Sequence, residues 1–198
     1  MIPHYHFDCV DSTNAYAKQF THSLDPNTPF KGAIFTATTQ TNGKGRLSHS
    51  WYSPPNEGLY YTALIPGKVD YKNISNLTKK YAKISIKCIS KITGITPQLE
   101  WPNDIIIQNK KLGGILIETI GRANHPAPTH IIIGIGLNLN HLTFPPPLNI
   151  TAISLRQITQ TLYNRQDFTH ELTKEIYKCL FGAYEGLSAQ KPIPKPTS

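Results

Sequence analysis

The stretch Glu100-Trp101-Pro102-Asn103-Asp104-Ile105-Ile106-Ile107-Gln108-Asn109-Lys110-Lys111-Leu112-Gly113-Gly114-Ile115-Leu116-Ile117-Glu118 decides the reading of this chain. Ile105 to Ile107 and Ile115 to Ile117 are β-branched runs, and Asn109-Lys110 suits a two-residue hairpin loop. With that loop, Gln108 pairs with Lys111, Ile106 with Gly113 and Asp104 with Ile115. Directly paired residues share a face of a sheet. Asp104 and Lys111 then point to one side with Gly113 between them: a carboxylate, an ammonium and a patch of bare backbone. An exposed polar hairpin would show the same residues, so the segment needs support from elsewhere.

Ile131 to Asn140 supplies it. Ile131, Ile133, Ile135, Leu137 and Leu139 are large and apolar, whereas Gly134, Gly136, Asn138 and Asn140 are small or polar. This alternation predicts a strand with one face on a core. Paired glycines in a strand mark a bulge or a close approach by a ligand or by backbone. On the second reading a flat ligand lies on the glycine floor with Asn138 at its edge. Ala33-Ile34-Phe35 is expected to be the first strand. It leads into Thr39-Gln40-Thr41-Asn42-Gly43-Lys44-Gly45-Arg46-Leu47-Ser48-His49-Ser50-Trp51, where glycines free backbone N–H groups for an anion and Lys44 and Arg46 add charge. The glycine spacing fits neither a Walker A loop nor a dinucleotide fingerprint. Alone, the loop reads equally as a surface turn.

Four segments in order resemble the biotin–protein ligases, which join biotin to a carrier-protein lysine through biotinyl-adenylate. They are Asp11-Ser12-Thr13-Asn14, the Gln40 to Trp51 loop, Trp101-Pro102-Asn103-Asp104 with Lys111-Leu112-Gly113-Gly114-Ile115, and Gly134-Ile135-Gly136-Leu137-Asn138. The resemblance runs from about residue 8 to about 140, with a weaker helical match to about 185. It implies an α+β fold, a mostly antiparallel (mixed) sheet covered by helices. The order of predicted elements suggests the same.

The resemblance also implies roles. Ser12, Thr13 and Gln40 would satisfy the ureido ring of biotin, and Ser12 and Thr13 serve equally as helix caps. Gly43, Lys44, Gly114, Gly134 and Gly136 would line the pocket beside Lys111. Arg46, Trp51, Asn103 and Asn138 would hold the adenylate, with His49 helping to close the loop. Forming an acyl-adenylate brings a carboxylate to the α-phosphate of ATP, so growing negative charge must be neutralised. Lys111 is expected to touch both anions, assisted by Arg46. Asp104 suits Mg²⁺, which takes few carboxylates and otherwise phosphate and water. ATP, Mg²⁺ and biotin are then the small-molecule requirements, without a tightly bound prosthetic group. The implied macromolecular partner is the biotin carboxyl carrier protein of acetyl-CoA carboxylase. Lipoate and octanoate ligases or transferases are the alternative within the superfamily; pairing Trp-Pro-Asn-Asp with Lys-Leu-Gly-Gly favours biotin. Lys44 stands where the family usually has arginine, and Glu100 replaces a common lysine.

Composition agrees. The 198 residues suffice for one buried domain, and Cys9, Cys88 and Cys179 lack disulfide-framework or zinc spacing. No signal core or membrane-length apolar run is present in the sequence, which points to the cytoplasm and away from membranes. The net charge of +8 raises nucleic acid as a partner, but no base-reading motif accompanies it, so specific DNA binding is not expected. A helix is predicted from Asn73 to Lys91, stopped by Gly94, with Lys80, Lys83, Lys87 and Lys91 on one stripe. That stripe is either a solvated face or one that steers an acidic partner. Asp167 is expected to cap a last helix carrying Phe168, Leu172, Ile176, Leu180 and Tyr184. The expected organisation is a catalytic domain over 1–190 and a Pro-rich disordered tail over 191–198. Neither an N-terminal DNA-binding domain nor a C-terminal SH3-like barrel is expected, and the state is a monomer or weak homodimer.

Overall fold

The computed structural model describes residues 1–25, 27–67, 73–121 and 128–192. In chain order the elements are β1 (Ile2–Val10), α1 (Thr13–Phe20), β2 (Ala33–Gln40), β3 (Gly58–Pro66), α2 (Ile74–Thr93), β4 (Gln98–Glu100), β5 (Asp104–Ile107), β6 (Lys110–Ile120), β7 (His130–Asn138), α3 (Leu148–Thr151), α4 (Leu155–Thr159), α5 (Arg165–Phe181) and β8 (Leu187–Lys191). Eight strands form one sheet in the order β4-β5-β6-β7-β3-β2-β1-β8. From β4 to β2 the pairing is antiparallel, and β8, β1 and β2 are parallel. The mixed, mostly antiparallel sheet with helices is the fold class the sequence implied.

β7 shows why the site forms where it does. Ile131, Ile133, Ile135 and Leu137 join the core beneath α2 and α5 with Tyr61, Ala63 and Ile65 of β3. Their neighbours face the other way, toward α1, where Tyr5, Phe7, Phe35, Tyr60 and Ile132 make a second cluster around Ala17. β3 is apolar on both faces because it sits in the middle of the sheet, which hides it from a search for alternation. The helices follow local rules. Ser12 caps α1, its Oγ accepting from Ala15 N at 3.4 Å. α2 ends at Gly94 in the left-handed region at φ 74°, as its glycine predicted.

Several expectations change. The first strand is β1, not the strand opening at Ala33. β1 alternates Tyr5 and Phe7 with His4 and His6, so its second face is polar and weakens the apolar signal. α5 is capped by Asn164, whose Oδ1 accepts from Gln166 N at 3.0 Å, and Asp167 lies in the first turn instead, where a carboxylate suits the helix dipole. Lys191, assigned to the tail, closes β8, and residues 193–198 lie outside the described residues. The lysine stripe is divided: Lys87 and Lys91 bond Glu175 and Glu171 of α5, each at 2.7 Å. Burial pushes the Glu171 carboxyl up, but Lys91 and Lys174 outweigh it and hold the group below its ordinary value. Exposed pairs of this kind contribute little, so they orient two helices whose attachment is apolar. Among the described residues no helix is long and apolar enough to cross a membrane.

Two imidazoles make stability pH-dependent. Burial, helped by His6, lowers the pKa of His4 to about 4, and burial alone lowers that of His141 to about 4. Below the unfolded value of 6.5 the unfolded chain binds protons that the folded state refuses. Stability should therefore rise with pH from about 4 to 6.5 and level off above. From pH 7 to pH 5 the loss should be about 1 kcal/mol per imidazole after allowance for partial solvation. Urea midpoints at the two pH values test this, and His141→Phe should shrink the difference; equal midpoints in the parent protein would contradict it.

Candidate active site

The β5–β6 turn is Gln108-Asn109, both at positive φ (51° and 56°), so Ile107 pairs with Lys110. This corrects the predicted Asn109-Lys110 loop. A bulge then inserts Leu112, because Ile106 pairs with Lys111 but Ile105 with Gly113. Leu112 is thereby fully buried, and Asp104 comes opposite Gly114 instead of Ile115. Asp104 and Lys111 still share a face, and Lys111 Nζ lies 2.8 Å from Asp104 Oδ1. Gly113 turns to the core, where an added Cβ would meet Leu137 at 2.5 Å, while Gly114 takes the place between the two charges.

The glycine floor is covered. An added Cβ at Gly136 would lie 2.5 Å from the Trp51 ring, and one at Gly134 would lie 2.5 Å from Asn14 Oδ1. The reading of a bare floor is therefore corrected: these glycines admit protein side chains, Trp51 from the loop and Asn14 from α1. Trp51 Nε1 is buried without a hydrogen-bond partner.

A polar network occupies one end of the floor. Gln40 Oε1 accepts from Thr13 N at 2.9 Å and from Thr13 Oγ1 at 3.1 Å, and Gln40 Nε2 donates to Ser53 Oγ at 2.9 Å. Thr62 Oγ1 lies within hydrogen-bonding distance of Thr13 Oγ1 (2.8 Å) and Asn14 Oδ1 (2.6 Å), and Asn14 Nδ2 donates to Glu118 Oε2 at 2.8 Å. Ser12, Thr13 and Asn14 are all buried. Thr62 and Glu118 were not singled out in the sequence; each occupies a position facing α1, and that parity is the signal that could have found them.

Charge gathers at the other end. Arg46 Nη1 donates to Asn103 Oδ1 at 2.8 Å, Asn103 Nδ2 to Asp104 Oδ1 at 2.7 Å, and Lys111 reaches the same oxygen. Lys111 Nζ sits 5.7 Å from the Trp51 ring centroid. With one carboxylate among Lys44, Arg46 and Lys111, this end is net positive and suits an anionic ligand.

The sequence-selected residues mostly converge. Ser12, Thr13 and Gln40 line one cavity with Lys44, Arg46 and Trp51, and its far wall carries Asn103, Lys111, Gly114, Gly134 and Gly136. That cavity, about 50 Å³, adjoins a larger one of about 600 Å³ through Lys44, Gly45, Arg46, Ile115 and Leu116. Four residues stand apart. Asp104 is one, outside the cavity lining although its Oδ1 meets Lys111 Nζ at 2.8 Å. Gly43 is buried within the loop, its carbonyl accepting from Trp51 N at 2.8 Å. His49 lines only the larger cavity, its carbonyl accepting from Gly45 N at 2.7 Å. Asn138 is buried and donates to the Lys111 and Ile153 carbonyls, both at 3.1 Å; it clasps the strand that carries Lys111. A neighbouring cavity reaches it, lined by Trp51, Tyr52 and Phe144.

The family model described as "Biotin/lipoate A/B protein ligase family" matches residues 6–138. The chain belongs to this family. Among curated relatives, the Bifunctional ligase/repressor BirA of Bacillus spizizenii is 34% identical over 152 residues, covering 76% of this chain and 45% of that protein. The chain thus spans about half the length of the curated relatives it matches first. The biotin protein ligase of Aquifex aeolicus in complex with biotin and ATP superposes with TM-score 0.75 at 28% identity, over 91% of this chain and 71% of that one. The Leishmania major biotin protein ligase in complex with biotinyl-5-AMP, 20% identical, shares the fold with TM-score 0.72 over 99% of this chain and 87% of that one. All four quoted motif segments fall on the family match, which ends at Asn138.

Gly136→Ala should push Trp51 off the floor without unfolding the sheet. In a Trp101→Phe background, where Trp51 is the lone tryptophan, its selectively excited emission should shift red, and the thermal midpoint should fall by no more than a few degrees. An unchanged spectrum would mean that Trp51 does not rest on Gly136.

Proposed function

We propose that this chain activates biotin with ATP as biotinyl-5′-AMP and transfers the biotinyl group to a lysine of a carboxylase biotin carrier protein. The observation that carries this reading is the two-ended floor: a part-buried hydroxyl and amide network from Thr13 to Gln40 at one end, and Arg46, Asn103, Asp104 and Lys111 at the other. A biotin molecule has matching ends, a ureido ring with two N–H donors and one carbonyl, and a carboxylate. The named ligands of the Aquifex aeolicus relative support biotin over lipoate.

In the first step a biotin carboxylate oxygen bonds to the α-phosphorus of ATP and diphosphate leaves with the electrons of the broken P–O bond. Lys111 and Arg46 stand where they neutralise the two approaching anions and the charge that grows on the phosphoryl oxygens. Lys44 adds a third positive charge at the cavity wall. In the second step the carrier amine attacks the acyl carbon, AMP leaves, and the amine gives up a proton. No side-chain nucleophile on this chain is required. Excluding water preserves the adenylate, and the hairpin that pairs Lys44 with Ser50 forms the cover. Mg²⁺ would shield phosphate charge. Asp104 offers it one carboxylate, which fits a metal held mainly by substrate phosphate and water. Asn138 acts on this reading by holding the Lys111 strand, and Trp51 by walling the adenylate. We place the reaction in the cytoplasm, an assignment supported by free cysteines at Cys9, Cys88 and Cys179.

The test is adenylation with α-labelled ATP and biotin, lipoate or octanoate. Label should enter biotinyl-AMP. Lys111→Ala should fold normally, since Asn138 and Ile153 hold the Lys111 backbone carbonyl, not its side chain. Its adenylation rate should fall by about 10² or more, as when one transition-state donor is lost. Preferential adenylation of lipoate would overturn the substrate, and a near-normal Lys111→Ala rate would overturn the role of Lys111.

A further inference from the structure

On the sheet face opposite the glycine floor, β1, β2 and the start of α5 enclose a cavity of about 120 Å³. Its polar wall is cationic or neutral. Arg165 Nη2 donates to Asn56 Oδ1 at 3.0 Å, but Arg165 Nη1 is buried with no hydrogen-bond partner. His4 Nε2 and His6 Nδ1 lie 2.8 and 2.9 Å from Thr36 Oγ1, and His6 Nε2 lies 3.1 Å from Thr38 Oγ1. No aspartate or glutamate is among the described residues that line the cavity. A guanidinium cannot shed its charge, and leaving its buried N–H unpaired is unfavourable. An oxyanion supplies the missing acceptors, and the guanidinium fork matches its geometry.

We propose that this cavity binds one tetrahedral oxyanion, a phosphate or sulfate group, between Arg165, His6 and Thr36. The anion would tie the start of α5 to β1 and β2, bracing the parallel edge of the sheet. The site is independent of the ligase reading, because every residue involved lies across the sheet from the Lys111 cluster. Two sources carry the same chemistry: free inorganic phosphate, and the diphosphate that an adenylating enzyme releases.

Protonation of the imidazoles is linked to binding. Burial, followed by repulsion from Arg165, lowers the pKa of His6, and Asp8 opposes this. His6 also disfavours a proton on His4. The other elements around them contribute Thr36, Ala37, Leu59, Thr169 and Gln190, none of them titratable at these pH values. A bound anion favours the imidazolium form, so affinity should rise as pH falls.

Calorimetric titration of the whole chain with sulfate, phosphate and diphosphate, in chloride buffers of equal ionic strength, tests the site. Sulfate keeps its charge across the range and isolates the imidazoles. It should bind at one site per chain, more tightly at pH 5.5 than at pH 7.5. Arg165→Gln should weaken it about tenfold or more. His6→Gln, which keeps hydrogen-bonding groups but cannot charge, should flatten the pH dependence. Binding at the Lys111 cluster is set aside by repeating the titration in Lys111→Ala, where the affinity should be unchanged. Tighter binding of diphosphate identifies the leaving group as the natural source, and tighter binding of phosphate identifies the free ion. Absence of saturable binding by all three anions, or equal affinity in Arg165→Gln with a pH dependence that survives His6→Gln, overturns the proposal.

Discussion

The parity of β7 governs the rest of the molecule. Once Ile131, Ile133 and Ile135 are committed to the core beneath α2 and α5, Gly134 and Gly136 must face α1. The antiparallel registers then bring Gly114 and Leu116 beside them from β6, and Tyr60 and Thr62 from β3. A one-residue slip would put isoleucines on the floor and glycines in the core, and lose most of the buried apolar area of the central strands. Core burial therefore fixes the site indirectly. The residues that would meet a ligand are held by strands whose stability comes from their other face.

A second constraint is charge. Three cations, Lys44, Arg46 and Lys111, gather around one carboxylate, Asp104, at one end of the floor. Hydrogen bonds through Asn103 link two of them into one chain. Such an excess is unfavourable without an anion and stabilising with one, which is the balance an anion-handling site needs. At the opposite end Thr13, Gln40, Ser53 and Thr62 satisfy each other, and Glu118, held by the Asn14 amide, is the carboxylate at its border. A ligand entering there must offer equivalent donors and acceptors or leave groups unpaired, and this gives the neutral end its capacity for discrimination.

Much of this was legible in the sequence, because the strand and helix signals are local. The alternation from Ile131 to Leu139, the α2 period with its Gly94 stop and the Asp104–Lys111 pairing on one face all read directly. What stayed hidden depends on distant partners. The bulge at Leu112 follows from a buried slot for that leucine, which a hairpin pattern cannot disclose. β1 and β8 pair in parallel, so no short turn announces them. The covering of Gly134 and Gly136 by Asn14 and Trp51 is tertiary: the sequence says that something approaches the glycines, not what. Asn138 reads as a ligand contact at the end of a glycine strand, yet its amide is spent on two backbone carbonyls.

The central claim is that the neutral end recognises a ureido ring. Calorimetric titration of biotin into the protein, with and without Thr13→Val, tests it most directly. The account predicts saturable binding of biotin at one site, and a marked loss of affinity in Thr13→Val, because Gln40 and Thr62 then lose a shared hydroxyl. Lipoate, which has no ureido group, should bind more weakly than biotin to the parent protein and be little affected by the substitution. Equal binding of biotin by both proteins, or tighter binding of lipoate than of biotin, would contradict it.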